Sequence, residues 1–480
     1  MKTYIKLSDN IKIPRIIIGF WQIADMENKG IKLDVKSCEY DLSKYVQAGF
    51  NTFDMADHYG SSEIILGKFK NKFPQSDIKL FTKWVPSPGK INRDIVRKNI
   101  LSSLERMQQK SIDLLQFHTW HYPDPSWIDA LNYLNELKDE GLIKDIGVTN
   151  FDSAHLRIAL ANGIPLISNQ VCHSIIDNRA LGRLSNVCRE YGIKLLVYGT
   201  LAGGFLTKKW LNKPEPKQED LVSWSEMKYK RFIDIAGGWE VFQNMLNTIN
   251  KIAHKHSVSI ANISSRYALN NESVAAVIIG SRLTENNHIN ENKTIVNIDL
   301  DSDDIRQISA AQSKMNSIPG DCGDEYREAP FLTASGDLSD HIKSIPRVYK
   351  LEKTQNSSKV FSGTNWEKLA GYCRANKIGN KIYVSGTTAT HNNKIVGVDD
   401  PYAQTHFIID KIEAAINSLG GELKNIVRTR IFVNNIDDWE TVAIAHGERF
   451  SKINPVNTLI EAKLVGKGYL VEIEAEALVD

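Results

Sequence analysis

Eight short apolar runs recur between residue 13 and about residue 300, each followed by a polar loop and then a stretch with helical spacing. The runs are PRIIIGFW, FNTFDMA, IKLFTKW, IDLLQFHTW, IKDIGVTN, PLISNQV, IKLLVYG and AAVIIGS. Between them, NRDIVRKNILSSLERM puts apolar residues at 95, 96, 100, 101, 104 and 107, one stripe of a helix, with Asn92 or Asp94 as its cap. SWIDALNYLNELKDEG repeats the pattern and stops at Gly141. Strand then helix, eight times over, predicts a parallel (β/α)8 TIM barrel in the α/β class. The rival is a doubly wound open sheet. It needs a glycine-rich turn after the first strand, and IIIGFWQIADMENKG does not match G-x-G-x-x-G.

The chain has 480 residues, more than one ordinary domain uses. The repeat lapses after residue 316 in a stretch rich in Gly, Pro, Asp and Ser. We therefore divide the chain into a barrel (1–320), a tail and linker (321–345) and a smaller α+β domain (346–480). Lys plus Arg number 59 against 57 for Asp plus Glu, a balance that gives no electrostatic case for nucleic acid or an anionic membrane. Five scattered cysteines without a C-x-x-C pair suit a reducing compartment. With no signal-like start and no apolar run of about 18 residues, the expected place is the cytoplasm.

Barrels of this kind present chemistry at the carboxyl ends of their strands. Read there, the second run offers Asp54 and, in its loop, Tyr59; the third offers Lys83 and the fourth His118. The fifth gives Thr149 and Asn150, the sixth Asn169 and Gln170, the seventh Tyr198. A free phenol titrates near 10 and is a poor acid at neutral pH. A neighbouring ammonium would lower that value, and an Asp would hold the ammonium charged. Such a Tyr can protonate a carbonyl oxygen while hydride arrives from a nicotinamide or flavin, since no side chain supplies hydride. Trp21, Trp84 and Trp120 fall near strand ends, where they line an aromatic pocket or fill the core; the sequence leaves both readings open. His254 and His256 sit two apart on a helix, face different ways and make a poor metal site, so no metal is expected.

FDMADHYG, FTKW, LLQFHTW, IGVTNF, NQV and YGTLAGGFL, in this order and spacing, resemble the aldo-keto reductases over about residues 10–325. The resemblance implies a (β/α)8 barrel that uses NADP(H) without a Rossmann fold. It maps the family's catalytic tetrad onto Asp54, Tyr59, Lys83 and His118. It also implies that Tyr198 stacks on the nicotinamide, that Thr149, Asn150 and Gln170 bind its carboxamide, and that Gly203 and Gly204 lie near the pyrophosphate. IIGSRLTENNHINEN resembles the segment that holds the adenosine end. There Gly280 precedes Ser281 and Arg282 at the 2′-phosphate, with Asn286 and Asn290 at the adenine. An Arg at that phosphate favours NADP over NAD by charge.

GYCRANKIGNKIYVSGTTAT, FIIDKIEAAINSLGGELKNIVRTRIFVNN and NPVNTLIEAKLVGKGYLVEIEAEA resemble the Rid family, the reactive-intermediate deaminases, over about residues 346–480. The family implies a homotrimer with clefts between subunits, where an Arg shortly after the Pro of NP holds the substrate carboxylate. Here that position is Asn457, and a neutral amide cannot replace a bidentate Arg–carboxylate pair. Glu472 matches the family's acidic residue. Arg374, Ser385, Asn457 and Glu472 outline the corresponding cleft. The sequence thus predicts a reductase of small-molecule carbonyl compounds with a domain for oligomerisation or small-molecule binding. The alternatives are a nucleotide-sensing protein with little turnover and an imine or enamine hydrolase acting through the second domain.

Overall fold

The computed structural model describes residues 3–285, 288–338, 342 and 344–479. A hairpin of β1 (Tyr4–Lys6) and β2 (Lys12–Pro14) precedes the barrel. Its Ile11 and Ile13 join Phe81, Leu114 and Leu196 in one buried cluster.

The eight apolar runs all form strands: β3 (Ile16–Gly19), β4 (Thr52–Asp54), β5 (Lys79–Trp84), β6 (Ile112–Phe117), β7 (Ile143–Thr149), β8 (Leu166–Cys172), β9 (Lys194–Tyr198) and β10 (Val274–Gly280). They pair in parallel, and β10 returns to β3 to close the barrel. Most of their residues are buried, because helices cover the outer face and side chains fill the inner one. Lys83 lies opposite Gln116, Thr149 opposite Gln170, and Cys172 opposite Tyr198. The register therefore brings the strand ends level.

Of the two caps offered for the helix between β5 and β6, Arg93–Met107, the structure uses Asn92, whose side chain accepts from the Ile95 amide. This helix crosses the helix Ser62–Lys72 closely at Gly67. A Cβ on Gly67 would stand 2.0 Å from the Met107 carbonyl oxygen. Gly67→Ala should therefore force the two helices apart and cost about 1–3 kcal/mol, read as a lower midpoint in chemical denaturation. An unchanged midpoint would show that the crossing can relax.

The second domain is a seven-stranded sheet in the order β11-β12-β13-β14-β19-β17-β18. These are β11 (Lys350–Lys353), β12 (Ser358–Phe361), β13 (Ala375–Ile378), β14 (Lys381–Thr388), β17 (Ile426–Val433), β18 (Val456–Glu461) and β19 (Val471–Leu478). A two-residue ribbon, β15 (Thr390–His391) with β16 (Lys394–Ile395), lies between β14 and β17 in the chain. β11 and β12 come from a stretch in which the sequence showed no strand. The helices Pro401–Ser418 and Trp439–Phe450 pack on each other, and the first of them lies on β14 and β19.

The two domains are docked. Helix Pro401–Ser418 also packs against the barrel helix Ser153–Ala161. Arg157 Nε reaches Asp400 Oδ2 at 2.6 Å, His391 Nε2 meets Asp129 Oδ2 at 2.9 Å, and Arg183 pairs with Glu448. Among the described residues no helix is long and apolar enough to cross a membrane.

Candidate active site

Asp54 ends β4 and Lys83 lies near the end of β5, both with side chains inside the barrel. Lys83 Nζ donates to Asp54 Oδ2 at 2.6 Å and to the Met55 carbonyl at 2.8 Å. The same ammonium stands 4.8 Å from the centre of the Tyr59 ring. Asp54 Oδ1 accepts from Gln116 Nε2 at 3.0 Å and from Gln170 Nε2 at 2.7 Å. Gln170 also donates to Gln116 Oε1 at 2.8 Å. Every charge on this floor thus has a hydrogen-bonded partner, as buried ions require.

Gln170, which the resemblance gives a part in binding the carboxamide, lines the cavity and donates its amide nitrogen to Asp54. Gln116 was missed. It lies on β6, two places before His118, which follows the strand's end, and opposite the inward-turned Lys83 on β5.

Burial pushes the Tyr59 phenol well above its usual value, and Asp54, Tyr326 and Asp57 add to that push. Burial also lowers the Lys83 ammonium, against the opposing pull of Asp54. The expected lowering of the phenol by Lys83 is therefore outweighed by desolvation in the free site. Tyr59 is a neutral phenol that holds its proton at pH 7.

These groups border a cavity of about 1090 Å³ at the carboxyl end of the strands. Asp54, Tyr59, Lys83, His118, Gln170 and Tyr198 all line it. The His118 ring packs edge-on against Trp120 (4.5 Å) and Tyr326 (6.0 Å). Trp21 packs edge-on against Tyr59 at 5.0 Å and lies 5.6 Å from Trp224. Trp21 and Trp120 thus line the cavity. Trp84 does not; it is buried against Phe117 in the core. Lys83 turns inward, so the next residue along the strand must turn outward to the helices.

Thr149 and Asn150 reach the cavity from β7, and Asn150 adopts a left-handed backbone with φ 57°. Tyr198 Oη donates to Asn150 Oδ1 at 2.7 Å, while Thr149 Oγ1 donates to the Gln170 carbonyl at 3.0 Å. At the other end, Gly280 and Arg282 line the cavity. Arg282 Nη2 lies 3.2 Å from Asp25 Oδ2, and Nη1 lies 3.7 Å from Glu285. The Ser281 hydroxyl is buried against Tyr45 Oη at 3.0 Å and does not face the cavity. Asn290 is exposed on the helix Ile289–Thr294, and Asn286 lies outside the described residues. A trough with amides and an aromatic ring at one end and a guanidinium at the other fits a nicotinamide dinucleotide. Its volume, at the top of the usual range for ligand pockets, leaves room for a small second molecule.

Two cavity residues carried no sequence signal. Lys228, from the helix Trp224–Ile235, donates to Tyr326 Oη at 2.7 Å and reaches Glu325 Oε1 at 3.4 Å. Tyr326 comes from the stretch read as tail and linker. Burial opposes the Lys228 charge, yet Tyr326 and Glu325 hold its pKa above the ordinary lysine value.

In the second domain, Arg374 Nη1 donates to the Gly386 carbonyl at 2.8 Å and to Thr387 Oγ1 at 2.9 Å. Ser385 Oγ donates to the Cys373 carbonyl at 2.8 Å. Glu472 lies beside Gly386, where a Cβ would meet its carboxylate at 2.0 Å. Burial raises the Glu472 pKa, with Arg374 pulling against it. Asn457 is apart from these three. It sits on the edge strand β18, three strands from β14, and donates to Thr429 Oγ1 at 2.9 Å.

Residues 15–313 match the aldo/keto reductase family, and residues 364–479 match the family described as endoribonuclease L-PSP. The chain is 25% identical over 318 residues to the NADH-specific methylglyoxal reductase of Escherichia coli, across 62% of this chain and 93% of that one. The glycerol dehydrogenase of Gluconobacter oxydans is 19% identical, covers 66% of this chain and 98% of its own, and superposes with a TM-score of 0.55, a likeness of fold. A member of the YjgF/YER057c/UK114 family from Mycobacterium tuberculosis is 40% identical across 26% of this chain and 99% of its own, with a TM-score of 0.24.

Proposed function

Because the chain belongs to the aldo/keto reductase family, we propose that it reduces an aldehyde or ketone to an alcohol with NADPH, and that Tyr59 donates the proton. The observation that carries this reading is the meeting of Asp54, Lys83 and Tyr59 on the floor of one cavity. A nicotinamide bound beside Tyr198 and Asn150 supplies the hydride. The chain's own part is the proton and the charge it leaves behind. Tyr59 holds its proton until a carbonyl oxygen develops negative charge. The phenolate then left behind faces the Lys83 ammonium, which Asp54 and the Met55 carbonyl fix in place. His118 orients the carbonyl, with its ring held by Trp120 and Tyr326.

Oxidation of NADPH and NADH by the full chain, measured against a panel of aldehydes and ketones, tests the reading. Turnover of any member supports it. Nucleotide binding with no turnover across the panel would replace it with the nucleotide-sensing alternative.

For the choice of nucleotide, Arg282 is the group that would meet a 2′-phosphate. Arg282→Ala should raise the KM for NADPH about tenfold or more by removing a charge-assisted pair, and leave the KM for NADH as it was. Equal effects on both would end the case for NADPH.

We assign the second domain to assembly rather than to chemistry. Its Arg374 guanidinium is committed to backbone carbonyls, and Asn457 stands where the family has an Arg. Val456 and Ile460, 62% and 48% exposed, lie on one face of β18 and leave an apolar surface there that suits packing against further copies. Light scattering of the full chain should return a trimer; a monomer would remove this assignment.

A further inference from the structure

The tail after the barrel does more than lead to the next domain. Arg327 Nη2 donates to the Asn150 carbonyl at 2.6 Å and to the Thr119 carbonyl at 3.0 Å, and Nε reaches the same Thr119 oxygen at 3.2 Å. One guanidinium thus ties together two strand-end loops. One loop carries His118 and the other carries Asn150, the partner of Tyr198. The approach is built in. Gly323 has φ +88°, and a Cβ there would lie 2.0 Å from the Asn150 carbonyl oxygen, so only glycine lets the tail come this near. The residues that do this, 323 and 327, lie beyond the barrel segment 15–313 that the family shares.

Arg327 is itself backed by a column of stacked groups that ends in the second domain. Its guanidinium carbon lies 4.3 Å from the centre of the Tyr122 ring. The other partner stacked on Tyr122 is His155, with ring centres 3.4 Å apart and planes within 3°. His155 Nδ1 bonds Asp152 at 2.7 Å, and its Nε2 bonds Asp410 of helix Pro401–Ser418 at 2.8 Å. Burial opposes charge on His155, but the two carboxylates prevail and push it up to about 9, so the imidazolium donates from both nitrogens. Asp410 is held in turn by Arg449 Nη1 at 2.6 Å.

We infer that Arg327 is a positioning residue for the reductase site, fixing the loops of His118 and Asn150, and that the second domain holds it in register through Tyr122, His155 and Asp410. The inference rests on the reading of Asn150 and Tyr198 as nicotinamide-binding residues. It gives the second domain a part in the barrel's reaction that requires no chemistry in its own cleft.

A double-mutant cycle on the full chain measures the coupling. NADPH dissociation constants by nucleotide fluorescence, with kcat on the best carbonyl compound, are compared for wild type, Arg327→Lys, Asp410→Asn and the double variant. Lysine cannot make the forked contact, so Arg327→Lys should weaken NADPH about tenfold. Asp410→Asn should weaken it in the same direction, and the double variant should bind no worse than Arg327→Lys alone. Asp129→Ala serves as control. It loses the interdomain contacts to His391 and Asn392 but touches no part of the column, and should bind as wild type. Wild-type affinity and turnover in Asp410→Asn, or singles whose effects simply multiply, would overturn the inference while leaving the reductase reading intact. A wild type that binds no nicotinamide nucleotide would overturn both. Should Asp410→Asn fail to fold, His155→Gln takes its place in the cycle.

Discussion

Replacing Tyr59 by Phe is expected to lower carbonyl turnover by about 10²- to 10⁴-fold, the range that a positioned general acid contributes. NADPH affinity should stay near that of the wild type. The ring stays, so its edge-on contact with Trp21 and its face toward Lys83 persist. What goes is the neutral hydroxyl that Tyr59 carries at the cavity floor. Stopped-flow NADPH oxidation separates the outcomes. A variant that binds nucleotide but turns over slowly places the proton on Tyr59. A variant with wild-type turnover moves the acid elsewhere, with His118 the next group to replace.

The second large effect concerns the interface. His155 rises from an unfolded value near 6.5 to about 9 in the folded chain. A group whose native value is raised stabilises the fold fully below the unfolded value and loses that contribution as pH climbs through the native one. Chemical denaturation should therefore show a loss of about 3 kcal/mol attributable to this group between pH 6.5 and pH 10. Other buried groups titrate in the same window. Burial pulls Lys411 down to about 7 and pushes Glu413 up to about 7. The quantity to measure is thus the difference between wild type and His155→Gln at each pH. That difference should shrink as pH rises. A constant difference would mean that His155 is neutral between its two carboxylates.

The barrel was legible because its strands are buried on both faces, so each appears as an uninterrupted apolar run such as IIIG of β3 or VAAVIIG of β10. That Asp54, Tyr59, Lys83 and His118 border one cavity was legible for a related reason. Once strand ends are known, the residues there can be read off one by one. Trp84 shows the limit of that method, since one step along a strand reverses the face. Lys228, Tyr326 and Arg327 were beyond reach because they come from segments whose place is set by long-range docking. The tail looked like a linker by composition, yet its Cys322 and Glu325 are among the most buried residues of the chain. The column at the interface was hidden more deeply still. His155 and Asp410 are 255 positions apart, and neither stands out from its own helix.

Helix Pro401–Ser418 has 14 buried residues, with its own sheet on one side and the barrel helix Ser153–Ala161 on the other. A helix of a free-standing module keeps one face for water, and that face tolerates change. This one has given up that freedom. Ala403, Ile408 and Ile412 are fully buried along it. A change of volume on this helix therefore has to be absorbed by the sheet on one side or the barrel helix on the other, as in the core of a single domain.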